Sequence, residues 1–187
     1  MKHALVENIN ESRSKQKELL FKHQSIPILY TRDINDGNVI SWLKQTENDL
    51  IINMRTRSIY KELVLRIPKF GCLNVHHGIL PEQRGLFCDL YALADDRKAG
   101  FTIHKMTERV DGGPIFYQET FEKDKNYISY LEKVSSREGI AVANFINEMA
   151  QKGTLPEGKP NICNKPIITT TPSFRIIKQL QHKGMIL

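Results

Sequence analysis

Asn74 and His76 stand two residues apart where the apolar run ends in "GCLNVHHGILPEQRG", residues 71–85. Residues two apart on an extended strand face the same side. This spacing therefore sets a carboxamide beside an imidazole, with Val75 packing on the other face. Such a pair suits one task, stabilising the oxyanion that forms when a carbonyl is attacked, and the imidazole can also exchange a proton. Asp111 is a third candidate. It sits in "VDGGP", where the glycines permit positive φ and Pro114 restricts the exit. A carboxylate near the pair can orient and charge-stabilise the imidazole or relay a proton through water. Each residue also has a plain structural role open to it: a loop-tying Asn, a satisfied His, a turn Asp. Spacing alone does not bring residue 111 to residue 74.

A sheet has to hold this pair. Residues 3–9, 26–31, 49–54 and 71–76 read as strands, and 11–23, 35–48 and 59–67 as helices between them. The run "DLIINM" at 49–54 is apolar almost throughout, as in a strand buried on both faces. The alternation predicts an α/β fold with a mostly parallel, Rossmann-like sheet flanked by helices. In such sheets ligands bind at the carboxyl ends of strands, and Asn74 and His76 fall at one. Further on, 85–96 reads as an amphipathic helix. Residues 100–121 read as two strands joined around Asp111 to Pro114. A helix over 136–152 carries Val142, Phe145, Ile146 and Met149 toward the core, 155–166 is a loop, and 173–183 is a last helix. The division expected is an α/β catalytic domain over 1–122 and a helical C-terminal segment over 123–187 that packs on it.

The bulk numbers exclude some classes. The chain has 187 residues, 40% hydrophobic and 26% charged, as for a globular domain with one core. No apolar stretch approaches the roughly 18 residues needed to cross a bilayer, and the opening residues hold no signal-peptide core. Cys72, Cys88 and Cys163 form no CxxC pair, so they read as reduced thiols and the expected location is cytoplasmic. The net charge of +6 comes from scattered lysines, with one local cluster at 174–184. A solvated basic surface is the expectation, and nucleic acid is not an expected partner. An anionic small substrate, such as a nucleotide or a folate, is equally compatible with the charge. Cys72, His76, His77 and His104 do not make a zinc site by spacing, because Cys72 and His76 lie four apart on a strand. No metal is expected.

"LNVHHGILPEQRG" followed by "GFTIHKMTERVDGGPI" resembles the paired signature of the 10-formyltetrahydrofolate-dependent formyltransferases. That family includes glycinamide ribonucleotide transformylase, methionyl-tRNA formyltransferase, the sugar-nucleotide N-formyltransferases and a hydrolytic deformylase. The resemblance runs from about Asp49 to Phe121 and more loosely upstream. It implies a formyltransferase fold in which Asn74, His76 and Asp111 are catalytic and His104 supports them. It also implies folate contacts from Met54, Arg57, Ile59, Leu80 and Asp111, with 10-formyltetrahydrofolate as cosubstrate. The implied reaction is formyl transfer to the primary amine of a small substrate, with a nucleotide-linked amino sugar as first choice. The alternatives are a formyltetrahydrofolate hydrolase and a truncated, catalytically silent domain that binds folate or a partner chain.

Two features depart from the family pattern. Gly78 stands where the commonest family loop, "HxSLLP", carries Ser, so the acceptor pocket is expected to differ. His77 reads as structural or acceptor-facing rather than catalytic. The family also opens with a strand, a glycine loop and a helix, whereas residues 3–9 here match its second strand and residues 1–8 contain no glycine. The sequence thus reads as an N-terminally shortened relative. A sheet lacking a central strand has an open edge, which predicts a homodimer or a rearranged sheet. The methionyl-tRNA branch, with its C-terminal barrel, is disfavoured because too few residues follow Phe121.

Overall fold

The computed structural model describes residues 4–7, 18–56 and 58–187, with side chains described from residue 18 onward. The chain divides into two compact units, Met1–Ile51 with Thr56–Cys72, and Ile52–Arg55 with Leu73–Leu187.

In the first unit, β1 (Ala4–Glu7) and β2 (Ile28–Thr31) pair in parallel, Ala4 opposite Ile28. Helix α1 (Gly37–Gln45) starts where the Asp36 carboxylate accepts from the Asn38 N–H at 2.8 Å, and it buries Val39 and Leu43 one turn apart. The helix expected over 59–67 shrinks to one turn, α2 (Glu62–Leu65). Asn35 is the reason at its start: its amide donates to the Ile59 carbonyl at 3.0 Å and accepts from the Lys61 N–H at 2.8 Å, holding that backbone out of a helix. Pro68 stops the other end by disfavouring helical geometry at Ile67. A surface hollow of about 550 Å³, lined by Leu43, Lys44, Asp49, Leu63 and Arg66 among others, also lies in this unit. None of the residues proposed above for chemistry lines it.

The second unit holds most of a four-stranded sheet. β3 (Ile51–Met54), β4 (Cys72–His76), β6 (Ala99–Lys105) and β7 (Ile115–Phe121) lie side by side in that order. β4 with β6 and β6 with β7 run antiparallel, and the register sets Asn74 opposite His104 and His76 opposite Thr102. The α/β class expected from the sequence stands. Its parallel pairings include β1 with β2, while the hairpin over 100–121 supplies the antiparallel side. Two short strands were not expected: β5 (Gln83–Gly85) pairs in parallel with β8 (Ile167–Thr169). Three residues are too few to show a period-2 pattern, so only the pairing itself reveals them.

Helix α3 (Cys88–Ala94) packs its buried face near β6. Helix α4 (Tyr127–Lys152) begins nine residues earlier than the sequence pattern suggests, where the Asn126 side chain accepts from the Ser129 N–H at 3.1 Å. It ends at Gly153, whose φ of 66° is open to glycine. Its buried stripe is Tyr127, Tyr130, Val134, Glu138, Ala141, Val142, Phe145 and Met149. Glu138 is the one carboxylate in that stripe. Tyr130 stacks on Tyr127 and meets Phe121 edge-on, tying α4 to β7. Helix α5 (Phe174–His182) follows an N-cap at Ser173. Among the described residues no helix is long and apolar enough to cross a membrane, and Cys72, Cys88 and Cys163 are free thiols.

Candidate functional site

The antiparallel register brings His104 to Asn74, and a chain of obligatory donors then fixes both side chains. The His104 Nδ1–H donates to the Lys105 carbonyl at 2.9 Å, since a carbonyl can only accept. Burial, above all, pushes the His104 imidazole down to about 4, and the nearby His76 ring acts in the same direction, so the His104 ring is neutral near pH 7. Its Nε2 is therefore an acceptor, and the Asn74 amide donates to it at 3.2 Å. That turns the Asn74 carbonyl oxygen toward Asn53, whose amide donates to it at 2.8 Å. Asn74 has two N–H bonds, and this arrangement uses one of them on His104.

His76 is held from the loop that follows it. Its Nε2–H donates to the Gln83 carbonyl at 2.8 Å, which leaves Nδ1 facing the Asp111 carboxylate at 3.6 Å. The same Asp111 oxygen lies 3.7 Å from His104 Nε2, and its other oxygen accepts from the Gly85 N–H at 2.9 Å. One carboxylate thus stands between two imidazoles at distances that a single bridging water can close. His76, His104 and Asp111 are only 5%, 2% and 9% exposed, and Asn74 is half-buried. The cluster is more closed than a cleft of surface side chains.

The backbone around it is built to fit. Asp111 has a φ of 49°, in the left-handed region that Asp tolerates better than most residues. The Arg84 guanidinium holds it there, donating from Nη1 to the Asp111 carbonyl at 2.9 Å, from Nε to the Pro81 carbonyl, and from Nη2 to Asn161. The Asn161 amide donates to the carbonyls of Asp111 and Gly113. Gly85 combines a φ of 97° with a close approach, since a Cβ there would lie 2.1 Å from the Thr169 carbonyl oxygen. Gly78, the departure from the commonest loop, is explained by packing: a Cβ would lie 2.7 Å from His76 Nε2 and 2.8 Å from the Cys88 Cβ. In this chain a Ser at 78 would push the imidazole off the Gln83 carbonyl.

Of the sequence-derived residues, Asn74, His76, His104 and Asp111 come together. Leu80 is buried, and it belongs to the scaffold through its backbone: its N–H donates to the Thr102 hydroxyl and its carbonyl accepts from the Gln118 amide. Met54 is exposed at the end of β3. Ile59 is exposed in the first unit, and Arg57 lies outside the described residues. Sequence reasoning missed Asn53, Gln83, Arg84 and Asn161. Gln83 and Arg84 were within the quoted stretch, yet nothing in "PEQRG" says which donor faces inward. Asn161, in an irregular loop, gave no signal at all. Among the described residues no group of three or more His, Cys, Asp and Glu is arranged to hold a metal ion.

The His104 environment has a measurable consequence. The unfolded chain takes up a proton near the ordinary value of 6.5, while the folded ring resists until about 4. Above pH 6.5 both states are neutral and this group gives no slope. Below it the unfolded state binds the extra proton, so stability falls as pH drops from 6.5 toward 4, by on the order of 3 kcal/mol. Urea midpoints measured across that window should decline in the native protein and decline less in His104→Gln. Equal slopes would show that His104 is not the buried neutral group.

The formyl transferase family model matches residues 4–140. The chain belongs to the formyl transferase family. It is 36% identical over 128 residues to the bifunctional polymyxin resistance protein ArnA of Wigglesworthia glossinidia brevipalpis, covering 66% of this chain and 19% of that one. It is 30% identical over 132 residues to the methionyl-tRNA formyltransferase of Kosmotoga olearia, covering 69% of this chain and 42% of that one. The chain thus spans less than half the length of these curated relatives. Among solved structures, the formyltransferase PseJ from Anoxybacillus kamchatkensis, in complex with UDP-4,6-dideoxy-4-formamido-L-AltNAc and tetrahydrofolate, superposes with a TM-score of 0.66 at 17% identity. That match covers 97% of this chain and 90% of that one, and at this identity it speaks for the fold. Methionyl-tRNA formyltransferases are thus among the relatives, alongside the sugar N-formyltransferase folds.

Proposed function

We propose that this chain transfers a formyl group from 10-formyltetrahydrofolate to the primary amine of a small substrate, with a nucleotide-linked amino sugar as the first acceptor to try. The observation that carries the reading is the convergence of Asn74, His76, His104 and Asp111 on one carboxylate-centred cluster. Family membership supports the reaction class, and the tetrahydrofolate in the PseJ complex supports the donor.

The steps follow from the side chains. The amine nitrogen attacks the formyl carbon, and the carbonyl π pair moves onto oxygen. The second N–H of Asn74 donates to that oxyanion, and its direction is set in advance by Asn53 and His104, so no reorganisation is needed as charge develops. The proton lost by the amine passes to His76 Nδ1 or Asp111, directly or through one water, and returns to N10 of the folate as the C–N10 bond breaks. The products are a formamide and tetrahydrofolate. Every proton is accounted for, and no covalent enzyme intermediate is needed.

The test supplies purified chain with 10-formyltetrahydrofolate, with and without a panel of amino-sugar nucleotides, and follows tetrahydrofolate and formylated product by absorbance and mass spectrometry. Amine-dependent formation of both in equal amounts is the expected result. Formate released without any amine would replace the transferase reading with hydrolysis. Donor binding with no turnover over the whole panel would leave a silent folate-binding domain.

A further inference from the structure

A second charged cluster, which the formyl-transfer chemistry does not use, sits directly behind the site. His77 Nδ1 lies 3.0 Å from the Asp89 carboxylate on α3, and His77 Nε2 pairs with Glu138 on α4. The second Glu138 oxygen accepts from Arg55 at 3.2 Å, and Arg55 also donates to the Ser135 hydroxyl at 2.8 Å. The Tyr127 hydroxyl donates to the other Asp89 oxygen at 2.9 Å. Asp89 and Glu138 are 0% and 2% exposed. Two carboxylates so deeply buried need two cations, and the two that face them are Arg55 and an imidazolium at His77. Burial pushes the Tyr127 and Tyr130 phenols up, with Asp89 adding to it at Tyr127 and Asp89 and Glu138 adding to it at Tyr130.

The positions of the two cations matter more than their number. His77 adjoins His76 in the chain. Arg55 follows β3 with a φ of 64° and lies two residues after Asn53, which holds Asn74. One Glu138 carboxylate therefore grips two strand ends: the β4 end, which presents the candidate catalytic pair, through His77, and the β3 end, which presents Asn53, through Arg55.

We propose that Glu138 and His77 are positioning residues of the formyl-transfer site, the Glu138 carboxylate holding the β3 end that carries Asn53 against the β4 end that carries Asn74 and His76 by bridging Arg55 and His77. The inference rests on the reaction proposed above only for its kinetic readout. Burial by itself would push the His77 ring down, but its bonds to Asp89 and Glu138 and their charges outweigh that and raise it. The attraction is fully present below pH 6.5 and is lost as pH rises through the folded midpoint. Losing it leaves two carboxylates facing one cation. The grip therefore loosens on the alkaline side.

The test has one arm that needs no turnover. Histidine-selective 15N NMR of the native protein should show a His77 titration midpoint above the ordinary value of 6.5. In Glu138→Gln, which keeps the shape and removes one charge, that midpoint should move down by about one pH unit or more and the His76 ring resonances should shift. Turnover of the variant should fall about 10- to 100-fold, as for a small misplacement of reacting groups, while donor affinity stays within about threefold. The alkaline limb of the native pH–rate profile should move to lower pH in the variant, which a merely structural role would not cause. A native His77 midpoint at or below 6.5 would overturn the proposal without any variant, and so would unmoved His76 resonances in Glu138→Gln. Should the chain turn over no amine at all, the NMR arm still decides the positioning claim, because it depends on geometry alone.

Discussion

Asp111→Asn is expected to lower formyl-transfer turnover by about 10²- to 10⁴-fold, the range for losing a group that moves protons in the transition state. The expectation is specific because Asn keeps what is structural about Asp111. It tolerates left-handed φ, its side-chain oxygen can still accept from the Gly85 N–H, and its backbone carbonyl still receives Arg84 and Asn161. The thermal midpoint should therefore stay within about 3 °C, corresponding to roughly 1 kcal/mol for a chain of this size. The charge facing both imidazoles is what disappears. A variant retaining a tenth or more of native turnover would remove Asp111 from the chemistry. His76→Ala is a less clean probe, since it opens a cavity and strips a partner from the Gln83 carbonyl.

Arg84→Met should give the largest loss of stability. The methionine preserves much of the aliphatic volume, and it removes four donated hydrogen bonds that reach the carbonyls of Pro81, Asp111 and Asn161 and the Asn161 side-chain oxygen. These acceptors lie in a buried corner, and each left without a partner costs about 1–3 kcal/mol. Asn161 still serves the Asp111 carbonyl, so the sum is about 3 kcal/mol or more, a fall in the thermal midpoint of about 10 °C. Turnover of the folded remainder should drop as well, because Asp111 loses its clamp. Differential scanning calorimetry decides it. A shift under about 3 °C would mean that water replaces the guanidinium and that the corner is not dry.

The element pattern was legible wherever a segment was long enough to carry a period. The strands at 28–31, 51–54, 72–76 and 115–121 and the helices at 37–45, 88–94 and 174–182 fall inside the ranges read from sequence, and the strand at 99–105 starts one residue before its range. The helix over 59–67 was overestimated because the Asn35 side chain, distant in sequence, captures the backbone before it can coil. The expected start of α4 is late because its first two buried residues are tyrosines and Val134 is the one buried aliphatic side chain before residue 136. Glu138 breaks an apolar stripe for a reason that only its two cations explain.

By itself the sequence determined which residue types stand at the end of β4 and in the turn before Pro114, since period-2 alternation and the Asp-Gly-Gly-Pro turn are local properties of the chain. Asn74 facing the same way as His76 is a consequence of strand geometry. Which nitrogen carries a proton, and which oxygen receives it, is not local. The tautomer of His104 depends on burial and on the Lys105 carbonyl, the face of Asn74 on Asn53, and the orientation of His76 on Gln83. Asp111 meets these groups because Arg84 and Asn161 hold its backbone from 27 and 50 residues away. Hydrogen bonds act over about 3 Å in space with no regard to separation along the chain, so only the tertiary structure decides them.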